Sequence, residues 1–459
     1  MAFIDYINDL KSKTVAVIGV GISNIPLIEQ LLAAGIDTTV HDKQTYEMLY
    51  STLDRFSAMG IKLCLGDKYL DRIDADVIFR TPGIMPWNIA IKEAVTRGAV
   101  LTSEMEAFFE LCPCEIIAIT GSDGKTTTTT IISEILKREG LTVHIGGNIG
   151  LPLLCKVDQI NPDDIVVLEL SSFQLITMKE SPNIAVVTNI AENHLDIHRD
   201  MEEYIEAKHN IIAFQDNSCR AVLNMDNSIT REFARNATAD ISYFSSRFRV
   251  NNGVYLENGS IYQGYDGRNE LIIHSRDILL PGLHNVENYM AAFAAVKGFA
   301  SVDSMVDVAK TFAGVEHRIE FVRELRGVKY YNDSIASSPS RTMAGLRAFE
   351  NKVILIAGGK DKGVGFEEFG DSLIDFVKVL VLTGLTAGKI NEAVVNSPNY
   401  DGVPVIIMED DFEQAVLVAS EMACEGDIVI LSPACTSFDR FKNFEDRGNT
   451  FKAIVNRLV

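Results

Sequence analysis

The sequence predicts an α/β protein of three domains in series, and three observations carry that prediction. At 459 residues the chain is too long for one ordinary core. Three stretches each run from an apolar strand through a glycine turn into a helical pattern: KTVAVIGVGISN at 13–24, EIIAITGSDGKT at 115–126 and NKVILIAGGKDKG at 351–363. Strands that alternate with helices build parallel sheets buried on both faces. A helix and linker, SEMEAFFELCPC at 103–114, and a hinge, AGVEHRIEFV at 313–322, then set the expected domains at residues 1–103, 104–314 and 315–459.

In the first stretch the turn Gly19-Val-Gly21-Ile-Ser-Asn24 has two of the three glycines of the dinucleotide fingerprint, and Asn24 stands where the third belongs. A helix pattern to Ala34 and the strand TTVHD follow, ending at Asp42, whose carboxylate is placed to hydrogen-bond a ribose. The incomplete fingerprint disfavours a nicotinamide oxidoreductase, and a different nucleotide is expected. RTPGI at 80–84 supplies a second turn that can approach it.

The second stretch carries chemistry. A turn of Gly121-Ser122-Asp123-Gly124-Lys125 leaving an apolar strand aims successive backbone N–H groups from a helix N-terminus, where donors are unsatisfied and the dipole favours phosphate. Lys125 then reaches the β- and γ-phosphates, and the Thr126 hydroxyl coordinates magnesium. The full phosphate-loop pattern wants glycine where Ile119 stands; Gly121 and Gly124 keep the tight backbone in a shorter loop. Five threonines, 126–130, start the helix at a cost of up to roughly 3 kcal/mol against alanine, so something other than propensity keeps them. For the later ones the reading is small residues packed toward the sheet.

A phosphate loop needs an acidic strand end beside it, and DDIVVLELSSFQ at 163–174 offers Glu169 at the end of an apolar run. VVTNIAENHLDIHRD at 186–200 ends another buried strand in Asn189, Glu192, Asn193, His194, Asp196 and His198, with His194 the leading functional candidate. Between 215 and 280 short strands punctuated by Asn and Gly predict an antiparallel extension of the middle domain.

Composition limits the partners. A net charge of −21 repels nucleic acid and anionic membranes, so a polyanionic substrate must be held by local amides, lysines and cations. No apolar run approaches a membrane span, and MAFIDYINDLKSK has neither a basic nor an apolar signal region, so a cytoplasmic protein is expected. The seven cysteines read as reduced, mostly buried thiols; the one close pair, Cys112-Pro-Cys114, lacks the second pair of a metal site.

With these residues assembled, the chain resembles the Mur ligases essentially end to end. The likeness lies in TGSDGKTT, GGNIGLP (146–152), ELSSFQL (169–175), NIAENHLD, EEYIEAK (202–208), GLHNVEN (282–288), EHR (316–318), YYNDSIASS (330–338) and SPACTSFDRFKNFEDRG (432–448). It implies a Rossmann-like N-terminal domain for a uridine nucleotide, a P-loop ATPase-like middle domain and a Rossmann-like C-terminal domain for an amino acid. The last motif implies ATP-dependent addition of D-glutamate to UDP-N-acetylmuramoyl-L-alanine through an acyl phosphate, in peptidoglycan precursor synthesis. A monomer is expected.

By the same resemblance, ATP falls to Gly121, Ser122, Asp123, Gly124, Lys125, Thr126, Thr127, Asn288, Arg318 and Asp333. Two Mg²⁺ sites fall to Thr126, Glu169, His194 and a CO2-derived carbamate on Lys208, with Lys125, His194 and Lys208 catalytic. Ile22, Ser23, Asp42 and Gly83 match uridine-nucleotide contacts, and Asn148 and Ser171 lie near the muramoyl group. Ser337, replacing a threonine of relatives, joins Lys362, Ser437 and Phe444 for D-glutamate. From its residues alone, Lys208 is a helix lysine after three glutamates and is expected at the surface. The chain departs from many relatives at Ile335, where a lysine is usual, at the GGKDKG loop, which leaves the role of Lys360 open, and at Lys43-Gln44, where an arginine often follows the Asp42 position.

Rival readings are a sister ligase for another amino acid, a folylpolyglutamate synthase and a nucleotide-operated switch. SPACTSFDRFKNF and the dinucleotide-like first domain argue against the first two, and the His194 and Lys208 region against the third.

Overall fold

The computed structural model describes residues 2–195, 197–349, 351–361 and 365–459; Lys362 and Asp196 lie outside the described residues. The chain divides into two compact units, Met1–Thr311 and Phe312–Val459.

Among the described residues the first unit holds two sheets. One is five-stranded among the described residues, in the order β3-β2-β1-β4-β5. Its strands are β1 (Val15–Ile18), β2 (Thr38–Asp42), β3 (Lys62–Leu65), β4 (Val77–Arg80) and β5 (Val100–Thr102). All pairings are parallel. The chain leaves β1 for β2 on one side and pairs β4 on the other, so the crevice at the carboxyl ends of β1 and β4 is a topological switch point, where open α/β sheets take ligands.

The second sheet runs β14-β13-β12-β11-β10-β9-β6-β8-β7. It comprises β6 (Glu115–Thr120), β7 (Val143–Gly147), β8 (Ile165–Glu169), β9 (Ile184–Val187), β10 (Arg220–Asn224), β11 (Asp240–Ser245), β12 (Gly253–Glu257), β13 (Ser260–Tyr265) and β14 (Arg268–His274). The antiparallel part is confined to β12–β14; β10 and β11, expected in the extension, continue the parallel sheet instead. Ala221, Val222 and Leu223 are buried on both faces, the signature of an interior parallel strand rather than a half-solvated one. A single apolar cluster runs from Val17 and Phe79 through Phe108 to Ala118 and Leu168, so the first two sheets share a core across the helix Glu104–Leu111.

The second unit carries β15 (Glu320–Leu325), β16 (Val328–Asn332), β17 (Val353–Ala357), β18 (Val377–Leu382), β19 (Val405–Met408) and β20 (Ile428–Leu431). Their order is β15-β16-β20-β17-β18-β19, with β15 antiparallel to a parallel remainder. Among the described residues no helix is long and apolar enough to cross a membrane.

Candidate active site

The strand, glycine turn and helix form in the order the sequence predicts, and the glycines of the turn are there for space. β6 is buried from Ile116 to Thr120, and the helix Lys125–Arg138 starts directly after the turn. A Cβ on Gly121 would stand 1.9 Å from Thr188 Oγ1, and one on Gly124, at φ 78°, 2.3 Å from Asn288 Oδ1. The end of β9 holds the loop from beneath. Ser122 N donates to Asn189 O at 2.8 Å, Asp123 N to Asn189 Oδ1 at 3.0 Å, and Thr188 Oγ1 to Asp123 O at 2.6 Å. The Ser122 hydroxyl meets Ala191 O and the Tyr204 hydroxyl, each at 2.9 Å.

Four predicted residues come together here. Thr126 Oγ1 donates to Glu169 Oε2 at 2.7 Å, and Asn148 Nδ2 donates to Glu169 Oε1 at 2.8 Å, so the carboxylate that ends β8 is buried but satisfied. An alcohol and a carboxylate oxygen side by side are donors of the kind a hard divalent cation takes. Gly147 allows the approach: a Cβ there would stand 2.2 Å from the Glu169 carbonyl oxygen. Lys125 Nζ folds over the loop, 3.0 Å from the carbonyl oxygens of both Gly121 and Ser122. Asp123 is exposed, and Thr127 is half-buried on the first helical turn.

Lys208 overturns its surface assignment. It is 2% exposed, and its Nζ donates to Gly121 O at 2.8 Å and Thr120 Oγ1 at 3.2 Å, with the Tyr204 ring 4.9 Å away. Desolvation, reinforced by the nearby Lys125 cation, drives its amine well below the ordinary lysine range. The physical reason is helical spacing: Tyr204, Ala207, Lys208, Ile211 and Ile212 are the buried stripe of the helix Met201–Ala213, and the glutamates read as its solvent face include Glu203, itself buried.

The histidines divide. His194 is exposed, sits at φ 56° and lies edge-on to Phe173 at 5.2 Å. His198 is buried: Nε2 meets Ser172 Oγ at 2.9 Å, Nδ1 meets Glu203 Oε1 at 3.0 Å, and the ring stacks on Phe173 at 5.0 Å. It fastens the helix that carries Lys208 to the short helix after Glu169. Among the described residues no group of three His, Cys, Asp or Glu side chains converges as a metal cage.

In the threonine run Thr128 and Thr130 find partners, whereas the buried Thr129 hydroxyl has none among the described residues. Thr128 Oγ1 donates to Asn288 Oδ1 at 3.3 Å, and Thr130 Oγ1 returns to Thr126 O at 2.8 Å. Ser171 caps the short helix Ser172–Leu175 in a capping box with Gln174. The sequence reading missed Thr188, Tyr204 and Arg80; the first lies one residue past β9, where parallel sheets place ligand-facing groups, and could have been found that way.

At the first sheet, Asp42 uses both oxygens on the turn: Val20 N donates to Oδ2 and Gln44 N to Oδ1, each at 2.8 Å. Asn24 takes the third-glycine position by tying its Nδ2 to Ile18 O and Gly19 O at 3.2 and 3.0 Å. Ile22 is 79% exposed, Ser23 precedes the helix Asn24–Ala33, and Gly83 faces open space. Arg80, 1% exposed, donates to Ile84 O and Phe173 O at 2.9 Å and to Thr177 Oγ1 at 3.0 Å, fixing the RTPGI turn to the segment after Glu169.

In the second unit, Asp333 follows β16 and is buried, accepting from Ser432 Oγ at 2.6 Å and Ile319 N at 3.3 Å; burial pushes its carboxyl up to about 7. Arg318 is exposed, Ser337 and Phe444 are half-buried, and Ser437 is buried. Arg447 joins the turns that carry Asp333 and Ser437, with Nε on Ser334 Oγ at 3.0 Å and Nη2 on the Ser334 and Cys435 carbonyls at 2.9 and 3.1 Å. Backbone bonds between Lys360 and Thr436, at 2.9 and 3.1 Å, tie the chain at Lys360 to the same turn.

Residues 119–296 match the family model of the Mur ligase middle domain, and residues 317–435 that of the Mur ligase glutamate ligase domain. The UDP-N-acetylmuramoylalanine--D-glutamate ligase of Ruminiclostridium cellulolyticum is 50% identical, with 98% of each chain covered. The chain belongs to the Mur ligase family. An equally named ligase of Acetivibrio thermocellus is 52% identical to this Mur ligase over 99% of its chain and 98% of the relative's. A solved UDP-N-acetylmuramate-alanine ligase of Thermotoga maritima shares the three-domain fold, with a TM-score of 0.54 at 17% identity over 97% of this chain and 99% of that one.

Proposed function

We propose that this Mur ligase joins D-glutamate to UDP-N-acetylmuramoyl-L-alanine, with ATP activating the alanine carboxylate. Relatives at about half identity that are named for this reaction support the choice of substrates. The observation that carries the reaction type is the convergence of a phosphate loop, the Thr126–Glu169 pair at 2.7 Å and the buried Lys208 at the carboxyl ends of the neighbouring strands β6 and β8.

A carboxylate is a poor acyl donor, since its charge repels an amine and oxide leaves badly. Transfer of the γ-phosphoryl group to the carboxylate makes an acyl phosphate; the amine of D-glutamate attacks the acyl carbon, phosphate leaves, and the amine proton passes to solvent. The protein's part is positioning and charge neutralisation. Loop amides from Gly121 to Thr127 hold phosphate oxygens, and Lys125 swings from its carbonyl partners onto the transferring group. Thr126 and Glu169 would hold Mg²⁺, an ion that binds through one or two carboxylates plus substrate phosphates and would supply neutralisation of the phosphoryl charge. His194 is the exposed candidate for the second ion.

The Lys208 environment fits a carbamate. A neutral amine is the form that attacks CO2, and burial beside Lys125 keeps it neutral. A carbamate anion there would be attracted to Lys125, where an ammonium would be repelled. Residues 1–103, 104–314 and 315–459 are assigned to the uridine nucleotide, ATP and the amino acid, the last through Ser337, Lys362, Ser437 and Phe444. A cytoplasmic monomer is the state in which we expect it to act.

The test is phosphate release from purified protein with ATP, magnesium and UDP-N-acetylmuramoyl-L-alanine against a panel of amino acids. Release should require D-glutamate; a maximum with another amino acid assigns a sister ligase, and release independent of any amino acid removes the ligase reading.

A further inference from the structure

One pair of side chains has no part in the candidate site. Cys112 ends the helix Glu104–Leu111, Pro113 follows, and Cys114 immediately precedes β6, the strand that feeds the phosphate loop. Their sulfurs are in contact at 3.8 Å, and both residues are partly exposed. We propose that Cys112 and Cys114 form a reversible dithiol–disulfide pair whose oxidant is a peroxide.

The geometry permits the bond. Two residues of extended chain span at most about 7 Å, at the upper edge of the 4.4–6.8 Å Cα separation of bridged cysteines. The sulfurs need close only from 3.8 Å to about 2.05 Å, within reach of side-chain rotation. Pro113 fixes one backbone dihedral between them, so less freedom is lost on closure. So small a ring is strained, and strained disulfides are the easily reduced ones, which suits a bond that forms under oxidant and reopens in a reducing compartment.

The two thiols have different roles. The contact with Cys112, in which either sulfur can donate, together with burial and the nearby Asp164 carboxylate, opposes a thiolate at Cys114. Cys112 is therefore the attacking sulfur. Its thiolate takes one peroxide oxygen, the O–O bond breaks, and the departing hydroxide gains a proton to become water. Cys114 sulfur then attacks the Cys112 sulfenic acid; the S–O bond breaks, and hydroxide leaves with the Cys114 proton as a second water. Two thiols lose two electrons to one peroxide.

The tryptic peptide 98–125 contains these two cysteines and no other, so the state of the pair is read directly. The full-length protein is exposed to hydrogen peroxide, alkylated, denatured and digested. The expected result is a peptide lighter by two hydrogens that takes no alkyl group, and takes two after dithiothreitol. In Cys114→Ser a 1,3-dione should trap sulfenic acid on Cys112, and in Cys112→Ser the remaining thiol should react on the order of tenfold more slowly. The proposal is overturned if peptide 98–125 still takes two alkyl groups at a peroxide dose that oxidises the exposed Cys424, or if its sulfur is joined to another peptide.

Discussion

Replacing Lys208 by methionine separates a structural lysine from a reactive one. The variant loses hydrogen bonds to Gly121 O at 2.8 Å and Thr120 Oγ1 at 3.2 Å, about 1 kcal/mol each. It also loses a penalty. The unfolded lysine holds its proton up to the ordinary 10.5, whereas the folded amine, desolvated and facing Lys125, releases it well below that value. Inside that window the unfolded chain binds one more proton than the folded chain, so wild-type stability rises with pH across it and is flat above about 10.5. Each pH unit inside the window is worth about 1.4 kcal/mol, so two units offset both lost hydrogen bonds. In CO2-free buffer near neutral pH, Lys208→Met should therefore unfold at or above the wild-type temperature, and the difference should shrink as the pH is raised. Bicarbonate should raise the wild-type Tm and leave the variant unmoved. Activity should fall on the order of a hundredfold or more, with short carboxylates restoring part of it in Lys208→Ala. A variant Tm lowered by the full two hydrogen bonds at neutral pH, or an equal bicarbonate shift in both proteins, would refute the reasoning.

Gly124→Ala places a Cβ at φ 78° and 2.3 Å from Asn288 Oδ1, so Asn288 must leave Thr128; we expect a cost of about 2 kcal/mol and ATP affinity on the order of tenfold weaker by calorimetry. His198→Phe keeps the stack on Phe173 but strips the ring's bonds to buried Ser172 and Glu203, and Tm should report a loss of about 1–3 kcal/mol. Asp333, near 7 in the fold and 3.8 in the unfolded chain, makes the folded state the one that binds more protons between those values. Stability of the second unit should then fall by up to about 4 kcal/mol as pH rises from 4 to 7, and hydrogen exchange in β16 and β20 should show that slope vanish in Asp333→Asn.

The parts of the site that follow from strand ends were legible in the sequence. A parallel strand delivers whatever follows it to the carboxyl edge of the sheet, so the Gly121 turn and Glu169 could be placed without a structure. Lys208 was not read correctly because three glutamates outweighed the spacing; Tyr204, Ala207, Ile211 and Ile212 already put position 208 on the apolar stripe. Asp42 and Asn24 show a different limit. Their side chains are spent on the backbone of their own turn, and a fingerprint that names residue types does not say which hydrogen bonds those residues make. His198 is legible only in three dimensions, since Ser172 stands 26 positions away and no periodicity links them.

The electrostatics of the loop bear on how a metal ion would arrive. A chain of net charge −21 concentrates two lysines on one carbonyl: Lys125 and Lys208 both donate to Gly121 O, at 3.0 and 2.8 Å. The buried carboxylate within the same cluster is Glu169, already accepting from Thr126 and Asn148. One carboxylate and one hydroxyl would give Mg²⁺ too few oxygen ligands of its own, and the ion sheds its waters reluctantly, so phosphate oxygens and water would have to complete its shell. The cation is therefore expected to enter with the nucleotide. Mg²⁺ alone should bind weakly, in the millimolar range, while ATP affinity should rise sharply with Mg²⁺. Glu169→Gln keeps an oxygen and an amide but removes the charge, so it should abolish most of that enhancement while leaving metal-free ATP binding as strong or stronger. If Mg²⁺ binds the nucleotide-free protein tightly, or if Glu169→Gln weakens ATP equally with and without it, the carboxylate is holding the loop rather than the ion.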